Sequence, residues 1–325
     1  MTRPVDTVDA VVCDLDGVVI TGSAAVEHAV PALAGLPVPV VFATNNASRT
    51  PEQVGDHLRS LGVQVTDGAI ITSSVAAARE LSTQLPAGAP VLAVGGEGVS
   101  TALRAVGLAP RGPEGGGEVA AVVQGYGPQV TAADLAAVAA AIRSGARWIA
   151  TNDDLTLPTA DGPAPGNGSL VQAVRNTVTV DPEVMGKPHP PIYALAAAAV
   201  GATPERTLAV GDRLETDIAG ACATGMPSAL VLTGVHGPAE AAAAPPRHRP
   251  THVLPDLRGL TAPYPRAEAD GSWSVRGAAR ARFGEGLEAH GEGIDAIRVA
   301  LDVLWAAVDA GRVTPGEARR LMSTR

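Results

Sequence analysis

Short apolar runs, each ending on polar residues and each followed by a helical pattern, recur from the start of the chain to about position 234. This alternation constrains the fold more than any other feature, because each apolar run must be buried and each helix must pack against it. Val8–Cys13, Val38–Ala43, Ala69–Thr72, Pro90–Val94, Glu118–Gln124, Ala146–Thr151, Thr207–Val210 and Ala229–Leu232 read as strands. One helix opens with Thr50 as N-cap, Pro51 at its first position and Gln53 completing a capping box, and it stops near Gly62. An Ala-rich segment running into the eighties and Val99–Val106, Ala132–Arg143, Leu170–Val178, Ile192–Val200 and Asp217–Thr224 also read as helices. The Gly/Pro-rich stretch Thr159–Gly168 reads as a loop. The βα order predicts an α/β protein of doubly wound, Rossmann-like parallel sheets with right-handed crossovers. Aromatic residues are only 2% of the chain against 46% apolar, so Ala, Val and Leu must fill its cores.

At 325 residues the chain is long for one domain. Its composition shifts beyond Ala262 toward Gly, Arg and Glu, after Pro263 and Pro265, and then gives an amphipathic helix over Ile294–Val308. A small appended unit is predicted there, helical, for packing or for pairing two copies as a homodimer. A formal charge of −9 argues against a nucleic-acid partner and leaves room for a small anionic substrate. Two cysteines, Cys13 and Cys222, make no disulfide framework and point to a reducing, cytoplasmic setting. The first residues lack the apolar run of a signal peptide, and stretches such as Tyr193–Val200 are too short to cross a bilayer, so no membrane association is expected.

Four strand ends carry the chemistry. Asp14-Leu15-Asp16-Gly17 places two acids where a strand leaves the sheet, and Gly17 permits the sharp exit that keeps them near one ligand. Two such carboxylates imply a divalent cation, or else a polar turn that happens to hold two acids. Thr44-Asn45-Asn46 ends the second run and offers a hydroxyl and amides to a phosphoryl oxygen, although such residues also suit an ordinary turn. Lys187, in Met185-Gly186-Lys187-Pro188-His189-Pro190, is the single lysine among 24 basic residues, which makes a solvated surface role less apt. Gly211-Asp212-Arg213-Leu214-Glu215-Thr216-Asp217 adds two more carboxylates, of which Asp217 also suits a helix cap.

Taken together, DxDG, the strand-end Thr, the Lys of Gly-Lys-Pro and GDxxxTD resemble the haloacid dehalogenase-like superfamily over about Val8 to Gly234. The 143 positions between Thr44 and Lys187 (187 − 44) resemble the large α/β cap of its class IIA branch. That branch includes phosphatases of nucleotides, sugar phosphates, 4-nitrophenyl phosphate, phosphoglycolate, pyridoxal phosphate and glycerol 3-phosphate. The resemblance implies a catalytic core at 1–79 and 184–261, a cap at 80–183 and an extension at 262–325. It implies a phosphatase acting on a small phosphorylated metabolite, with Asp14 as nucleophile and Asp16 as acid and base. Thr44, Asn45, Asn46 and Lys187 would bind phosphate, and Mg²⁺ would sit on Asp14, the Asp16 carbonyl and Asp212. Asp217 and Gly17 would support them, and Asn152-Asp153-Asp154 of the cap would face the substrate. The tail resembles the acetyltransferase-related extension of actinobacterial glycerol-3-phosphate phosphatases, and Gly291-Glu292-Gly293 resembles an acetyl-CoA loop. About 60 residues are too few for a whole domain of that kind. A phospholigand-binding protein without turnover is the competing class of function, and Mg²⁺-dependent phosphate release separates the two.

Overall fold

The computed structural model describes residues 2–66, 68–159 and 161–324. The chain divides into two compact units, Met1–Val41 with Leu61–Gln64 and Val200–Arg325, and Phe42–Ser60 with Val65–Ala199.

In the first unit the strands Ala10–Cys13, Thr207–Gly211, Ser228–Val231 and His252–Leu254 lie side by side in that order, all parallel. Every residue of the first three is buried, as expected where both faces of a parallel sheet are covered. The registers Ala10↔Thr207 and Cys13↔Val210 bring residues 14 and 212 out at the same, carboxyl edge of the sheet. The helix expected at Asp217–Thr224 begins earlier. A single π turn, Leu214–Ile218, leads into Ala219–Thr224, and Gly225 closes it at φ +78°.

The tail is more than a helical appendage. Glu268–Asp270, Trp273–Arg276, Ala279–Phe283 and Leu287–His290 form a four-stranded antiparallel meander, followed by helices Gly293–Asp309 and Pro315–Ser323. The long helix is buried on two sides. Val299 and Val303 pack with Ala279 and Ala281 of the meander, while Ala300, Leu301 and Leu304 join Leu214, Ile218, Leu230 and Val253. The extension therefore shares its core with the parallel sheet. It also fastens the edge strand: Val253 N–H donates to Tyr264 Oη at 3.1 Å, and Arg298 Nε donates to Val253 O at 2.8 Å. These contacts occupy an open sheet edge that would otherwise invite strand addition. His252 stacks edge-on against Tyr264 at 4.7 Å, and burial lowers its pKa to about 4.

In the second unit Val40–Thr44, which begins in the first, pairs in parallel with Ile70–Thr72. A separate five-stranded parallel sheet runs Glu183–Val184, Arg147–Ala150, Ala121–Gln124, Pro90–Val94, Ala109–Arg111. Helix Pro51–Ser60 starts with the expected capping box, Thr50 N–H to Gln53 Oε1 at 3.0 Å and Gln53 N–H to Thr50 Oγ1 at 3.2 Å. The stretch expected to be a loop at Thr159–Gly168 holds one arm of a hairpin, Thr156–Thr159 with Gly162–Pro165. Prolines fit there because each strand of a two-stranded ribbon has one side that needs no N–H. Helix Asn167–Arg175 follows directly, three residues earlier than the apolar spacing indicated.

Candidate active site

Asp14 follows strand Ala10–Cys13, and its N–H donates to Val210 O at 2.9 Å, which ties it to the neighbouring strand. Asp212 follows Thr207–Gly211 in the same way. Asp14, Asp212 and Asp217 are all buried, and each offers a carboxylate oxygen that lies within 4.8 Å of the others. At that distance two unit charges repel by about 3 kcal/mol for an effective dielectric near 20. A cation shared among them removes the repulsion, and an oxygen-only donor set suits a hard divalent ion.

Neighbouring glycines make room for these groups. A Cβ at Gly17, which sits at φ +80°, would lie 2.3 Å from Asp212 Oδ2; one at Gly234 would lie 2.0 Å from it. A Cβ at Gly211 would lie 2.1 Å from Asp217 Cβ. Asp212 Oδ2 accepts the N–H of Val235 at 2.8 Å, and Thr233 Oγ1 donates to Gly17 O at 2.7 Å. The loop Thr233–His236 is thus part of the site, and sequence reasoning missed it. Its signal was a glycine two residues past the expected strand end at Leu232. Asp217 lies within the π turn and not at a helix N-cap; its Oδ2 accepts from Arg213 N–H at 3.1 Å and from Thr216 Oγ1 at 3.4 Å. Asp16 is exposed and stands outside this group of three, on a turn closed by Gly17 N–H to Ile20 O at 2.8 Å.

The second unit assembles the remaining predicted residues. Thr44 is buried at its strand end, and its Oγ1 accepts the N–H of Asn46 at 3.1 Å. Lys187 is 4% exposed. Its N–H donates to Asn45 Oδ1 at 2.7 Å, and its C=O accepts from Asn45 Nδ2 at 3.0 Å. Asn45 Nδ2 donates as well to Asp154 Oδ2 at 3.0 Å. Both N–H groups of the Asn45 carboxamide are thus engaged within the protein. Asn46 is exposed, and its Oδ1 accepts from Ser48 N–H at 3.0 Å and Ser48 Oγ at 2.9 Å, shaping the turn into the next helix. Asn152 is buried, and its Nδ2 donates to Asn45 O at 2.8 Å. Asp153 pairs with His189, Oδ2 to Nε2 at 3.0 Å.

Comparison with known proteins identifies the family. Two family models match, one described as haloacid dehalogenase-like hydrolase over residues 11–109 and one as HAD-hydrolase-like over residues 184–260. The chain is 46% identical to D-glycerol 3-phosphate phosphatase of Mycobacterium tuberculosis over 254 residues, 78% of this chain and 70% of that one. It is 39% identical to 5'-nucleotidase YutF of Bacillus subtilis, over 68% of this chain and 86% of that one. A crystal structure of glycerol phosphate phosphatase from M. tuberculosis in complex with magnesium superposes with a TM-score of 0.79 at 37% identity, covering 94% of this chain and 93% of that one.

Proposed function

Because the chain belongs to the haloacid dehalogenase-like hydrolases, we propose that it is a Mg²⁺-dependent phosphatase that cleaves glycerol 3-phosphate through a phospho-aspartate on Asp14. The observation that carries this reading is the convergence of buried Asp14, Asp212 and Asp217 within 4.8 Å at the carboxyl ends of parallel strands. Their oxygens fit a hard divalent cation, and the relative crystallised with magnesium supports that choice of ion. Asp14, Asp212 and the main-chain carbonyl of Asp16 would hold it, with Asp217 beside them. When bound, Mg²⁺ offsets the charge of nucleophile and phosphate so that two anions can approach.

The protein's own groups account for the bond changes. The Asp14 carboxylate attacks phosphorus as the bond to the alcohol oxygen breaks, leaving an aspartyl phosphate. Asp16, exposed on its turn, gives its proton to the departing alkoxide. It then takes a proton from the water that attacks the aspartyl phosphate, releasing inorganic phosphate and restoring Asp14. Thr44, whose oxygen already accepts from Asn46, keeps its hydroxyl proton for a phosphoryl oxygen, and the Asn45 main-chain N–H and the Lys187 ammonium serve the others. Residues 1–79 and 184–261 form the catalytic core, 80–183 the cap that selects substrate, and 262–325 the extension.

The extension favours glycerol 3-phosphate. Residues 1–261 are 80% of the chain (261 of 325), so a superposition covering 94% reaches into the extension. The nucleotidase relative matches over 68%. Cys13 and Cys222 are not joined in a disulfide, which suits a reducing cytoplasm. Among the described residues no helix is long and apolar enough to cross a membrane. The test is phosphate release, with and without Mg²⁺, from glycerol 3-phosphate, phosphoglycolate, pyridoxal phosphate, nucleoside monophosphates and sugar phosphates. Glycerol 3-phosphate is expected to give the highest kcat/KM, and EDTA to abolish it. Higher kcat/KM on another ester would reassign the substrate, and release from none would reject the phosphatase.

A further inference from the structure

We infer that the Asn45 side chain is a positioning group: its carboxamide fixes the main chain of Lys187 and ties it to Asp154, and the carboxamide does not itself bind the phosphoryl group. The inference rests on the reading of Lys187 as the phosphate-binding cation. A carboxamide has two N–H donors and a carbonyl acceptor. The acceptor takes Lys187 N–H at 2.7 Å, and the donors go to Lys187 O and to Asp154 Oδ2, both at 3.0 Å. Holding the N–H and the C=O of one residue together fixes the peptide planes on both its sides. The direction in which the lysine side chain leaves the main chain is then set before any substrate arrives.

The surroundings are built for this clasp. A Cβ at Gly186 would lie 2.6 Å from Asn45 Oδ1, so only glycine before the lysine lets the two meet. Asn45 is held in turn, its C=O accepting from Asn152 Nδ2 at 2.8 Å and from Ser73 Oγ at 2.9 Å. Asn152 is anchored by Asn167 Nδ2, which donates to Asn152 O at 2.7 Å, and its Oδ1 accepts the N–H of Asp154 at 3.3 Å. One amide thus joins Lys187 to segment 152–154, groups 142 and 109 positions from it in the chain. A shift in that segment is transmitted to the lysine.

A double-mutant cycle reads this directly, with inorganic phosphate as the probe and calorimetric titration as the measurement, so that inactive variants still report. In the wild-type background Asn45→Ala is expected to weaken phosphate binding about tenfold and to lower kcat/KM about 10²-fold, the scale of a small misplacement. In the Lys187→Ala background the same substitution is expected to change the dissociation constant by less than about twofold, because its effect passes through the lysine. Equal losses in both backgrounds would mean that the Asn45 carboxamide contacts phosphate itself, and would overturn the inference. Wild-type binding in Asn45→Ala would overturn it too. Asn45→Leu, close in volume, replaces Asn45→Ala if thermal melting shows that the alanine variant does not fold. Failure of the wild type to bind inorganic phosphate would overturn both this inference and the phosphatase reading. Additive losses in a wild type that does bind it would overturn this inference alone.

Discussion

Around Asp14, Asp212 and Asp217 the first unit gathers three buried carboxylates within 4.8 Å, whereas around Lys187 the second unit gathers neutral amides that grip main chain. The first arrangement concentrates like charge, and its oxygen donors suit a shared cation. The second is already satisfied by its own hydrogen bonds, and it fixes direction more than it supplies charge. The difference teaches that one set of residues is organised for what it will bind, and the other for where it must point. Substitutions in the first should therefore act on cation binding and nucleophilic chemistry, and in the second on alignment.

The sharpest way to break this contrast is Asp14→Asn. Turnover is expected to fall by on the order of 10⁴ or more, as for loss of a nucleophile, while the melting temperature holds or rises because one of three repelling charges is gone. Wild-type turnover in that variant would remove the phospho-enzyme. Lys187→Arg keeps the charge and loses the compact ammonium, so a fall in kcat of about 10²-fold is expected from steady-state kinetics. Next comes the clearance around Asp212. Gly234→Ala puts a Cβ 2.0 Å from its Oδ2, whereas the same change at Gly112 meets nothing within 4 Å. Gly234→Ala should lower kcat/KM by about tenfold to 10²-fold and weaken Mg²⁺ binding, with Gly112→Ala unchanged.

The smallest effect lies away from both regions. The fold keeps His252 neutral, with burial first and then the charges of Arg298 and Arg276 lowering its pKa to about 4. As pH falls below 6.5 the unfolded chain takes up the proton first, so stability present above pH 6.5 declines toward pH 4 and levels off below it. The loss amounts to about 3 kcal/mol at 1.36 kcal/mol per pH unit, and urea midpoints against pH should show it. His252→Asn should remove that contribution.

Asp14 and Asp212 were legible in the sequence because each sits at the end of an apolar run, and local spacing fixes which way they leave the sheet. The capping box at Thr50 was legible for the same reason, its partners being three residues apart. The clasp on Lys187 was not, since its partners come together only through the fold. Nor was the role of Gly234, which is defined by a carboxylate 22 positions earlier (234 − 212). The meander in the tail hid behind charged strands such as Glu268–Asp270, though Gly271 and Gly277, at φ +59° and +55°, mark its hairpin turns.

The most direct test of a shared ion is calorimetric titration of Mg²⁺ into the wild type and into Asp212→Asn. One ion per chain is expected in the wild type, with affinity reduced by at least about tenfold in the variant, since a ligand and a unit of charge are both lost. Equal affinity in the two proteins, or no binding to the wild type, would contradict the account.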